Sequence, residues 1–365
     1  YTFTYNINGG ANQTVSSTGN TATVLAPTNT DGTFTYNLVS VEDASATACT
    51  QTQSGSITVT VNPLPTASIS GTAEVCIGDT EPTITFTGAN GTAPYTFTYN
   101  INGGANQTVN STGNTATILA PTNVNGTFTY NLVSVEDASA AACAQTQSGS
   151  VTVTVNSLPT VSVLATDTEI CQGNSTSLTA SGASSYTWSP STGLDATTGA
   201  IVNATPPSTT TYTVTGTDGN GCENTAQITV TVNPLPTASI SGTAEVCIGD
   251  AEPTITFTGA NGTAPYTFTY NINGGANQTV SSTGNTATVL APTNTDGTFT
   301  YNLVSVEDAS ATACTQTQSG SITVTVNPLP TASISGTAEV CIGDTEPTIT
   351  FTGANGTAPY TFTYN

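Results

Sequence analysis

Apolar and polar residues alternate with a period of two over most of the chain. In the segment PYTFTYNI, Tyr95, Phe97 and Tyr99 fall on one face, and the intervening threonines fall on the other. The same alternation recurs in the runs 84–86 and 151–155, and clusters of Gly, Asn and Pro separate the runs. No stretch has a 3.6-residue period. The pattern therefore predicts an all-β protein of short antiparallel strands.

The number of strands favours a particular all-β architecture. About seven short strands in fewer than 100 residues are typical of an immunoglobulin-like β-sandwich. A barrel is less favoured because the turn spacing is irregular and residues 106–122 are weakly patterned. The alternation slips between Leu132 and Val133, which predicts a β-bulge. Trp188, the single tryptophan, is expected to cross the core of its module on a third strand.

An internal repeat divides the chain into modules. The string YTFTYN begins at Tyr1, Tyr95, Tyr266 and Tyr360, and the segment TVTVNPLPT, or a close variant, separates successive copies. Segments of this size can each enclose a core of their own. We interpret the chain as module 1 (1–62, the C-terminal part of a long module), module 2 (63–156, long), module 3 (157–233, short and divergent), module 4 (234–327, long) and module 5 (328–365, the N-terminal part of a long module).

The composition excludes several classes of function. The chain has 22 acidic residues, no Lys, Arg or His, and a formal charge of −22. Nucleic-acid binding needs cations that displace phosphate counterions, so no nucleic-acid partner is expected. Histidine bases, Schiff-base lysines, His-containing zinc sites and basic membrane helices are excluded in the same way. The absence of Met, together with the opening in mid-repeat, predicts that the sequence is a window of a longer protein.

Each complete module has one cysteine near its start and one near its end. The early cysteines are Cys76, Cys171, Cys247 and Cys341, and the late cysteines are Cys49, Cys143, Cys222 and Cys314. Regular pairs without histidine favour disulfides over a metal, which implies an oxidising, extracellular setting. We expect pairing within modules, as Cys76–Cys143, Cys171–Cys222 and Cys247–Cys314, with partners for Cys49 and Cys341 outside this window. Pairing across a linker, as in Cys49–Cys76, is the less favoured alternative.

The junctions between modules are short and rich in proline. At Asn62-Pro63, Asn233-Pro234 and Asn327-Pro328 the last strand continues through Asn-Pro-Leu-Pro into the next module. Two prolines in three residues stiffen the backbone. The array is therefore expected to form an extended rod.

Carboxylates are the only charged groups available for chemistry. They cluster around the early cysteine and before the late one, at Glu74, Asp79, Glu81, Glu136 and Asp137 in module 2 and at Glu245, Asp250, Glu252, Glu307 and Asp308 in module 4. If a disulfide joins the two clusters, their oxygens are candidate Ca²⁺ ligands. The alternative is that they are solvated loop acids, and no other cofactor is expected. A glycosidase-type carboxylate pair repeated in every long module is improbable, so the protein is not expected to be an enzyme or to have a small-molecule substrate.

Longer phrases carry a resemblance to a known family. Module 3 contains CQGNSTSLTASG, SSYTWSPSTGL and STTTYTVTGTDGNGC, and the long modules contain LPTASISGTAEVC and YNLVSVEDAS. These phrases resemble the PKD-like and Ig-like repeats of giant cell-surface adhesins of gliding Bacteroidota, the SprB-like adhesins. The WDFGDG-type signature of PKD domains is replaced here by Trp188-Ser189-Pro190. The resemblance implies export by type IX secretion, attachment to the outer membrane and movement by the gliding machinery.

Two functions remain open at this point. The first is a non-enzymatic stalk that transmits force for surface attachment and gliding motility, and whose adhesion to a surface or polysaccharide substratum lies in other parts of the protein. Lateral self-association of such stalks is a further possibility. The second is an array of weak glycan- or Ca²⁺-binding modules that acts by avidity.

Overall fold

The computed structural model describes all residues from Tyr1 to Asn365. The chain consists of β-strands joined by turns and contains no α-helix, so no helix is long and apolar enough to span a membrane. Two compact units are present: residues 1–158 together with 219–222, and residues 159–218 together with 223–365. Every paired set of strands lies within one predicted module. Independent folding of each module stays a prediction.

The first unit contains modules 1 and 2. The strands of module 1 are β1 (Thr2–Ile7), β2 (Gln13–Ser16), β3 (Gly32–Glu42), β4 (Thr50–Thr52) and β5 (Ser56–Val61). The strands of module 2 are β6 (Thr66–Ser70), β7 (Ala73–Cys76), β8 (Thr83–Ala89), β9 (Tyr95–Ile101), β10 (Gln107–Asn110), β11 (Thr115–Leu119), β12 (Gly126–Asp137), β13 (Ala144–Thr146) and β14 (Ser150–Asn156).

Module 2 is a two-layer sandwich. One sheet has the order β11-β8-β6, and the other has the order β10-β9-β12-β14-β7 with β13 paired to β12. All neighbours are antiparallel except β7 and β14, which run parallel. One core cluster, which contains Phe86 from the first sheet and Phe97 and Val153 from the second, lies between the layers. The prediction of immunoglobulin-like β-sandwiches is confirmed, and the barrel alternative is wrong.

The register explains which sequence patterns were clear. Along β9, Tyr95, Phe97 and Tyr99 are buried and alternate with less buried threonines, as the period of two predicted. The register between β9 and β12 shifts between Leu132 and Ser134, which confirms the β-bulge. The weakly patterned residues 106–122 form β10 and β11, which lie at sheet edges and bury few side chains.

Module 3, most of which lies in the second unit, is a smaller sandwich of two sheets. Its strands are β15 (Ser162–Ala165), β16 (Glu169–Cys171), β17 (Thr176–Ser181), β18 (Ser185–Ser189), β19 (Ile201–Ala204), β20 (Thr210–Thr217) and β21 (Glu223–Asn233), in the orders β15-β17-β19 and β16-β21-β20-β18. Trp188 is buried on β18 and donates its indole N–H to the carbonyl of Gly199 at 2.9 Å. β18 is the fourth strand rather than the predicted third, because the start of the module forms two short strands, β15 and β16, one in each sheet.

Module 4 repeats the sandwich of module 2. Its strands are β22 (Thr237–Ser241), β23 (Ala244–Cys247), β24 (Thr254–Ala260), β25 (Thr267–Ile272), β26 (Gln278–Ser281), β27 (Thr286–Leu290), β28 (Gly297–Glu307) and β29 (Thr315–Asn327). Module 5 contains two paired strands, β30 (Thr331–Ser335) and β31 (Thr350–Ala354). The fold is therefore a tandem array of immunoglobulin-like sandwiches.

Candidate functional site: the cysteine-linked junctions

The early cysteines lie at the ends of their modules where the chain leaves. Because β7 runs parallel to β14, Cys76 lies opposite Asn156, the last residue of module 2. In module 3 the parallel strands β16 and β21 place Cys171 opposite Asn233. The early strand is near the start of the module in sequence, but its cysteine therefore lies at the exit, the end of the module where the chain leaves.

A glutamate on each early strand fixes this arrangement. The junction asparagine donates its side-chain N–H to the glutamate two residues before the cysteine, from Asn156 to Glu74 at 3.0 Å, from Asn233 to Glu169 at 2.7 Å, and from Asn327 to Glu245 at 2.8 Å. Hydrogen bonds to an ionised group are about twice as strong as neutral ones. Each bond therefore ties the end of the last strand to the early cysteine strand.

The late cysteines of the long modules follow a loop built around one aspartate. In module 2, Asp137 Oδ1 accepts hydrogen bonds from Ser139 Oγ at 2.6 Å and from the backbone N–H of Cys143 at 3.0 Å. Its Oδ2 accepts the backbone N–H of Thr92 at 3.0 Å. Module 4 has the same bonds from Ser310, Cys314 and Thr263 to Asp308. We call residues 43–49, 137–143 and 308–314 the cysteine loops.

These bonds determine the protonation of the loop aspartates. Burial raises the pKa of Asp137, but the hydrogen bonds from Ser139, Thr92 and Cys143 outweigh it and hold the pKa below its ordinary value. The same balance of burial against hydrogen bonds lowers the pKa of Asp308. Both side chains are only 4% exposed, so each cysteine loop is organised around a buried carboxylate.

The disulfides connect successive modules. Cys76 is bonded to Cys222 at a sequence separation of 146, and Cys171 is bonded to Cys314 at a separation of 143. The Cα atoms are 5.6 Å apart in both. The prediction of pairing within modules, as Cys76–Cys143, Cys171–Cys222 and Cys247–Cys314, is wrong. Four cysteines are free: Cys49, Cys143, Cys247 and Cys341.

The reason is that the two cysteines of a module lie at opposite ends of the sandwich. The cysteine loop of module 2 packs at the end where the chain enters the module. Gly91 lies between Pro65, at the start of the module, and Asp137 of the loop, so that a Cβ on Gly91 would lie 2.9 Å from Pro65 and 2.8 Å from Asp137 Oδ2. Cys76, by contrast, lies at the exit beside Asn156. An early cysteine therefore meets the late cysteine of the next module.

Contacts within the second unit show the fit at one junction. The hydroxyl of Thr312, two residues before Cys314, lies 3.4 Å from Cys171 Sγ and accepts a hydrogen bond from Asn233 Nδ2 at 3.1 Å. The cysteine loop of module 4 thus rests on the exit of module 3. The sequence has no local signal for this pairing, because the position of Cys171 depends on the parallel pairing of β16 with the distant last strand, β21.

Most of the carboxylates proposed as calcium ligands accept local hydrogen bonds. Asp79 Oδ2 accepts the backbone N–H of Cys76 at 2.8 Å, and Asp250 Oδ2 that of Cys247 at 2.7 Å. Glu307 accepts from Thr315 at 3.2 Å. No group of three or more His, Cys, Asp or Glu side chains is placed to hold a metal ion. The bond Cys76–Cys143, which was to draw the two acidic clusters together, is absent, so calcium binding stays a prediction that melting with and without a chelator tests.

Comparison with known proteins adds partial structural likenesses. No protein-family profile and no curated protein matches the sequence. A three-domain immunoglobulin fragment of titin is 12% identical over 73% of this chain and 99% of its own, with a TM-score of 0.37. Invasin, a bacterial integrin-binding protein, is 17% identical over 74% of this chain and 61% of its own, with a TM-score of 0.29. FdeC, an Escherichia coli adhesin, is 15% identical over 70% and 96%, with a TM-score of 0.27. The fold assignment rests on the strand pairing described above.

Proposed function

We propose that the chain is a non-enzymatic, force-bearing segment of the stalk of a large cell-surface adhesin. The observation that carries this proposal is the overlap of the two disulfides. Cys171 precedes Cys222 in sequence, so the loop closed by Cys76–Cys222 interlocks with the loop closed by Cys171–Cys314. A load that enters before Cys76 and leaves after Cys314 therefore crosses both bonds.

The overlap shortens the path that bears the load. From Cys76 the path crosses to Cys222, runs back through module 3 to Cys171, and crosses to Cys314. It contains about 50 residues, or about 170 Å when fully extended, whereas the uncrosslinked chain between Cys76 and Cys314 extends to about 800 Å. The rest of modules 2 and 4 between these cysteines is shielded from the load.

Module 3 receives the load in a favourable direction. Cys222 immediately precedes β21, and Cys171 ends β16, which pairs in parallel with β21. Opposite pulls at the start of one strand and the end of its parallel neighbour shear the ladder, so its hydrogen bonds are loaded together rather than one after another. A stalk needs this resistance, and an enzyme or transient binding module does not.

The cellular setting is part of the proposal. Disulfides persist in oxidising compartments, which supports an extracellular location. The phrase-level resemblance to SprB-like repeats supports export by type IX secretion, attachment at the outer membrane and force transmission from the gliding machinery to a substratum. Repeated glycan recognition has less support, because the aromatic side chains Tyr95, Phe97 and Trp188 are buried in their cores.

Single-molecule stretching between handles at residues 1 and 365 tests the stalk proposal. Oxidised chains should reach a final extension of about 600 Å, and chains held in reductant about 1,200 Å. Breaking one bond by Cys171→Ser or Cys76→Ser should give about 750 Å. Cys341→Ser, which removes a free thiol, is the matched control and should leave the oxidised value unchanged.

Two results would count against the proposal. Oxidised and reduced chains with equal final extensions would show that the crosslinks do not carry the load. Saturable binding of the whole chain to a glycan array would favour the recognition function instead.

A further inference from the structure

The last residue of module 3 has three chemically complementary groups at one peptide bond. The side-chain Nδ2 of Asn233 lies 2.7 Å from Glu169 Oε1 and 3.1 Å from Thr312 Oγ1. The backbone carbonyl of Asn233 accepts a hydrogen bond from the N–H of Gln172 at 2.8 Å. The residue that follows is Pro234. An amide nitrogen beside a carboxylate and a carbonyl with a hydrogen-bond donor therefore meet at the Asn233-Pro234 bond.

The parallel pairing of β16 with β21 fixes this arrangement. Cys171 lies opposite Asn233 in the register, so Glu169 and Gln172 lie on either side of the last residue of β21. Asn233 and Glu169 are both partly buried. The three groups are therefore held by paired strands and not by a flexible loop, although Glu169 and Asn233 are 64 positions apart in sequence.

We propose that the chain cleaves its own backbone between Asn233 and Pro234. The Nδ2 atom attacks the backbone carbonyl carbon of Asn233, and Glu169 accepts a proton from Nδ2 as the new bond forms. The N–H of Gln172 stabilises the negative charge that develops on the carbonyl oxygen. The bond to Pro234 then breaks, and the proton passes from Glu169 to the proline nitrogen.

The products account for every atom. The upstream fragment, residues 1–233, ends in a succinimide ring made from the side chain and the carbonyl of Asn233. The downstream fragment begins with the free amine of Pro234. Water later opens the ring at either of its carbonyls and leaves Asn or isoasparagine at the new C-terminus. No electrons are transferred and each chain reacts once, so the reaction does not make the protein an enzyme.

Proline at the next position directs the reaction to cleavage. Where the next residue has a backbone N–H, that nitrogen can attack the side-chain carbonyl of the asparagine instead, which releases ammonia and leaves the chain continuous. Proline has no N–H, so this competing route is closed.

The junction of modules 2 and 3 shows the contrast. Asn156 is bonded to Glu74 at 3.0 Å, and its carbonyl accepts the N–H of Ile77 at 2.9 Å, but the next residue is Ser157. The same two contacts are therefore present without the proline. We expect the chain to stay unbroken at this junction.

The end of module 4 repeats the complete arrangement. The side chain of Asn327 is bonded to Glu245 at 2.8 Å, its carbonyl accepts the N–H of Ile248 at 2.9 Å, and Pro328 follows. This junction should therefore be cleaved in the same way.

The crosslink of module 3 to module 4 spans the cleaved bond. Cys171 precedes Asn233 and Cys314 follows Pro234, and these two cysteines are bonded to each other. After cleavage at Asn233 this disulfide is the only covalent link between modules 3 and 4. A reductant then separates the two modules, whereas an uncleaved chain stays whole.

Incubation of the whole oxidised protein at neutral pH over several weeks tests the proposal. In denaturing gels with reductant, residues 1–233 should accumulate together with a fragment that begins at Pro234, and without reductant the two should stay joined. N-terminal sequencing should give Pro234-Leu235-Pro236 for the new end. Mass spectrometry should find succinimide or isoasparagine at Asn233, which a contaminating protease does not produce.

Glu169→Gln is the matched variant. Glutamine keeps an oxygen that can accept the hydrogen bond from Asn233 but is a far weaker proton acceptor, so cleavage at Asn233 should slow at least about tenfold. Cleavage at Asn327 should keep its rate and serves as the internal control. The Trp188 fluorescence transition in urea should stay where it is in the parent chain, which shows that module 3 is folded.

Two further variants make the test independent of module 3. Glu245→Gln should slow only the cleavage at Asn327. Ser157→Pro should create a new cleavage at Asn156, because Glu74 and the Ile77 N–H are already in place.

Four results would overturn the proposal. They are a parent chain that stays whole in reductant, equal cleavage rates at Asn233 in the parent and Glu169→Gln, faster cleavage at Asn233 in urea than in the folded protein, and a Ser157→Pro chain that is not cleaved at Asn156.

Discussion

Modules 3 and 4 are both sandwiches, but they are held at their ends in different ways. Both cysteines of module 3 are bonded to neighbouring modules, whereas module 4 uses Cys314 and leaves Cys247 free. Module 3 also has the smaller core, with ten buried apolar residues against thirteen in module 4. Because a smaller domain buries less of its surface, crosslinks contribute a larger share of its stability.

The difference indicates where each module obtains its stability. In module 4, Phe257, Phe268 and Tyr270 form a buried aromatic cluster, with the Phe257 ring 5.6 Å from Phe268 and 5.0 Å from Tyr270. Module 3 has no close aromatic pair of this kind but is anchored at both ends. Crosslinks to neighbouring modules should therefore contribute a larger share of the stability in the short module than in the long modules.

Phe257→Ala should have the largest effect and should be confined to module 4. Removing a fully buried phenylalanine costs about 4 kcal/mol through lost burial and the cavity that remains. Circular dichroism in increasing urea should show an earlier transition. The fluorescence of Trp188, the single tryptophan, reports module 3 alone and should keep its midpoint.

The matched control for this change is Leu290→Ala, at a side chain that is 57% exposed, which should shift neither transition by more than about 0.5 kcal/mol. If the Trp188 midpoint instead moved together with the circular dichroism in Phe257→Ala, modules 3 and 4 would unfold as one unit. The predicted module boundaries would then not be folding boundaries.

Reduction of the disulfides should affect module 3 most. Crosslinks at Cys171 and Cys222 limit the freedom of module 3 when it unfolds between folded neighbours, and their loss should cost it about 3 kcal/mol. The Trp188 midpoint should therefore move to lower urea in reductant, while tyrosine fluorescence, which is dominated by the long modules, moves less.

The double variant Cys171→Ser and Cys222→Ser should reproduce the reduced behaviour without reductant. The double variant Cys49→Ser and Cys341→Ser, measured in dilute solution, is its control and should behave as the parent chain. An equal shift of the Trp188 and tyrosine signals would contradict the contrast between the short and long modules.

The sequence predicted what depends on local patterns. The alternation in Tyr95, Phe97 and Tyr99 placed a strand and its buried face correctly, because half-buried strands impose a period of two. The slip between Leu132 and Val133 located the bulge. Trp188 was correctly placed in a core because it is a large apolar side chain that alternates with the polar residues Thr187 and Ser189.

Disulfide pairing could not be obtained in the same way. The sequence shows one early and one late cysteine in each complete module, but pairing depends on which end of the sandwich each one reaches. That is decided by the parallel pairing of β7 with β14, between residues about 80 positions apart. The hydrogen bonds to the loop aspartates could not be predicted from the sequence for a similar reason, because the donors Thr92 and Thr263 lie far from Asp137 and Asp308 in sequence.

Asp308→Asn should destabilise the cysteine loop of module 4 but not the crosslink of module 2. The substitution replaces an ionised acceptor of several hydrogen bonds by a neutral amide and should cost about 2 kcal/mol. In a glutathione redox series the Cys171–Cys314 bond should become easier to reduce, and the Cys76–Cys222 bond, which has no cysteine in module 4, provides the internal control. Equal changes in both bonds would show that the loop does not organise Cys314.

Acid should produce the smallest of these differences in stability between the long modules and the short module. Because the pKa values of Asp137 and Asp308 are lower in the folded protein than in the unfolded chain, these groups stabilise the long modules above the unfolded pKa, and that stability is lost as the pH falls below about 4. In module 3 the hydrogen bond from the Asn203 backbone lowers the pKa of Asp195, but this carboxylate is exposed, so its contribution is screened. Urea midpoints at pH 7 and pH 3 should therefore fall further for tyrosine fluorescence than for Trp188. A larger fall at Trp188 would mean that the buried carboxylates are not what distinguishes the long modules.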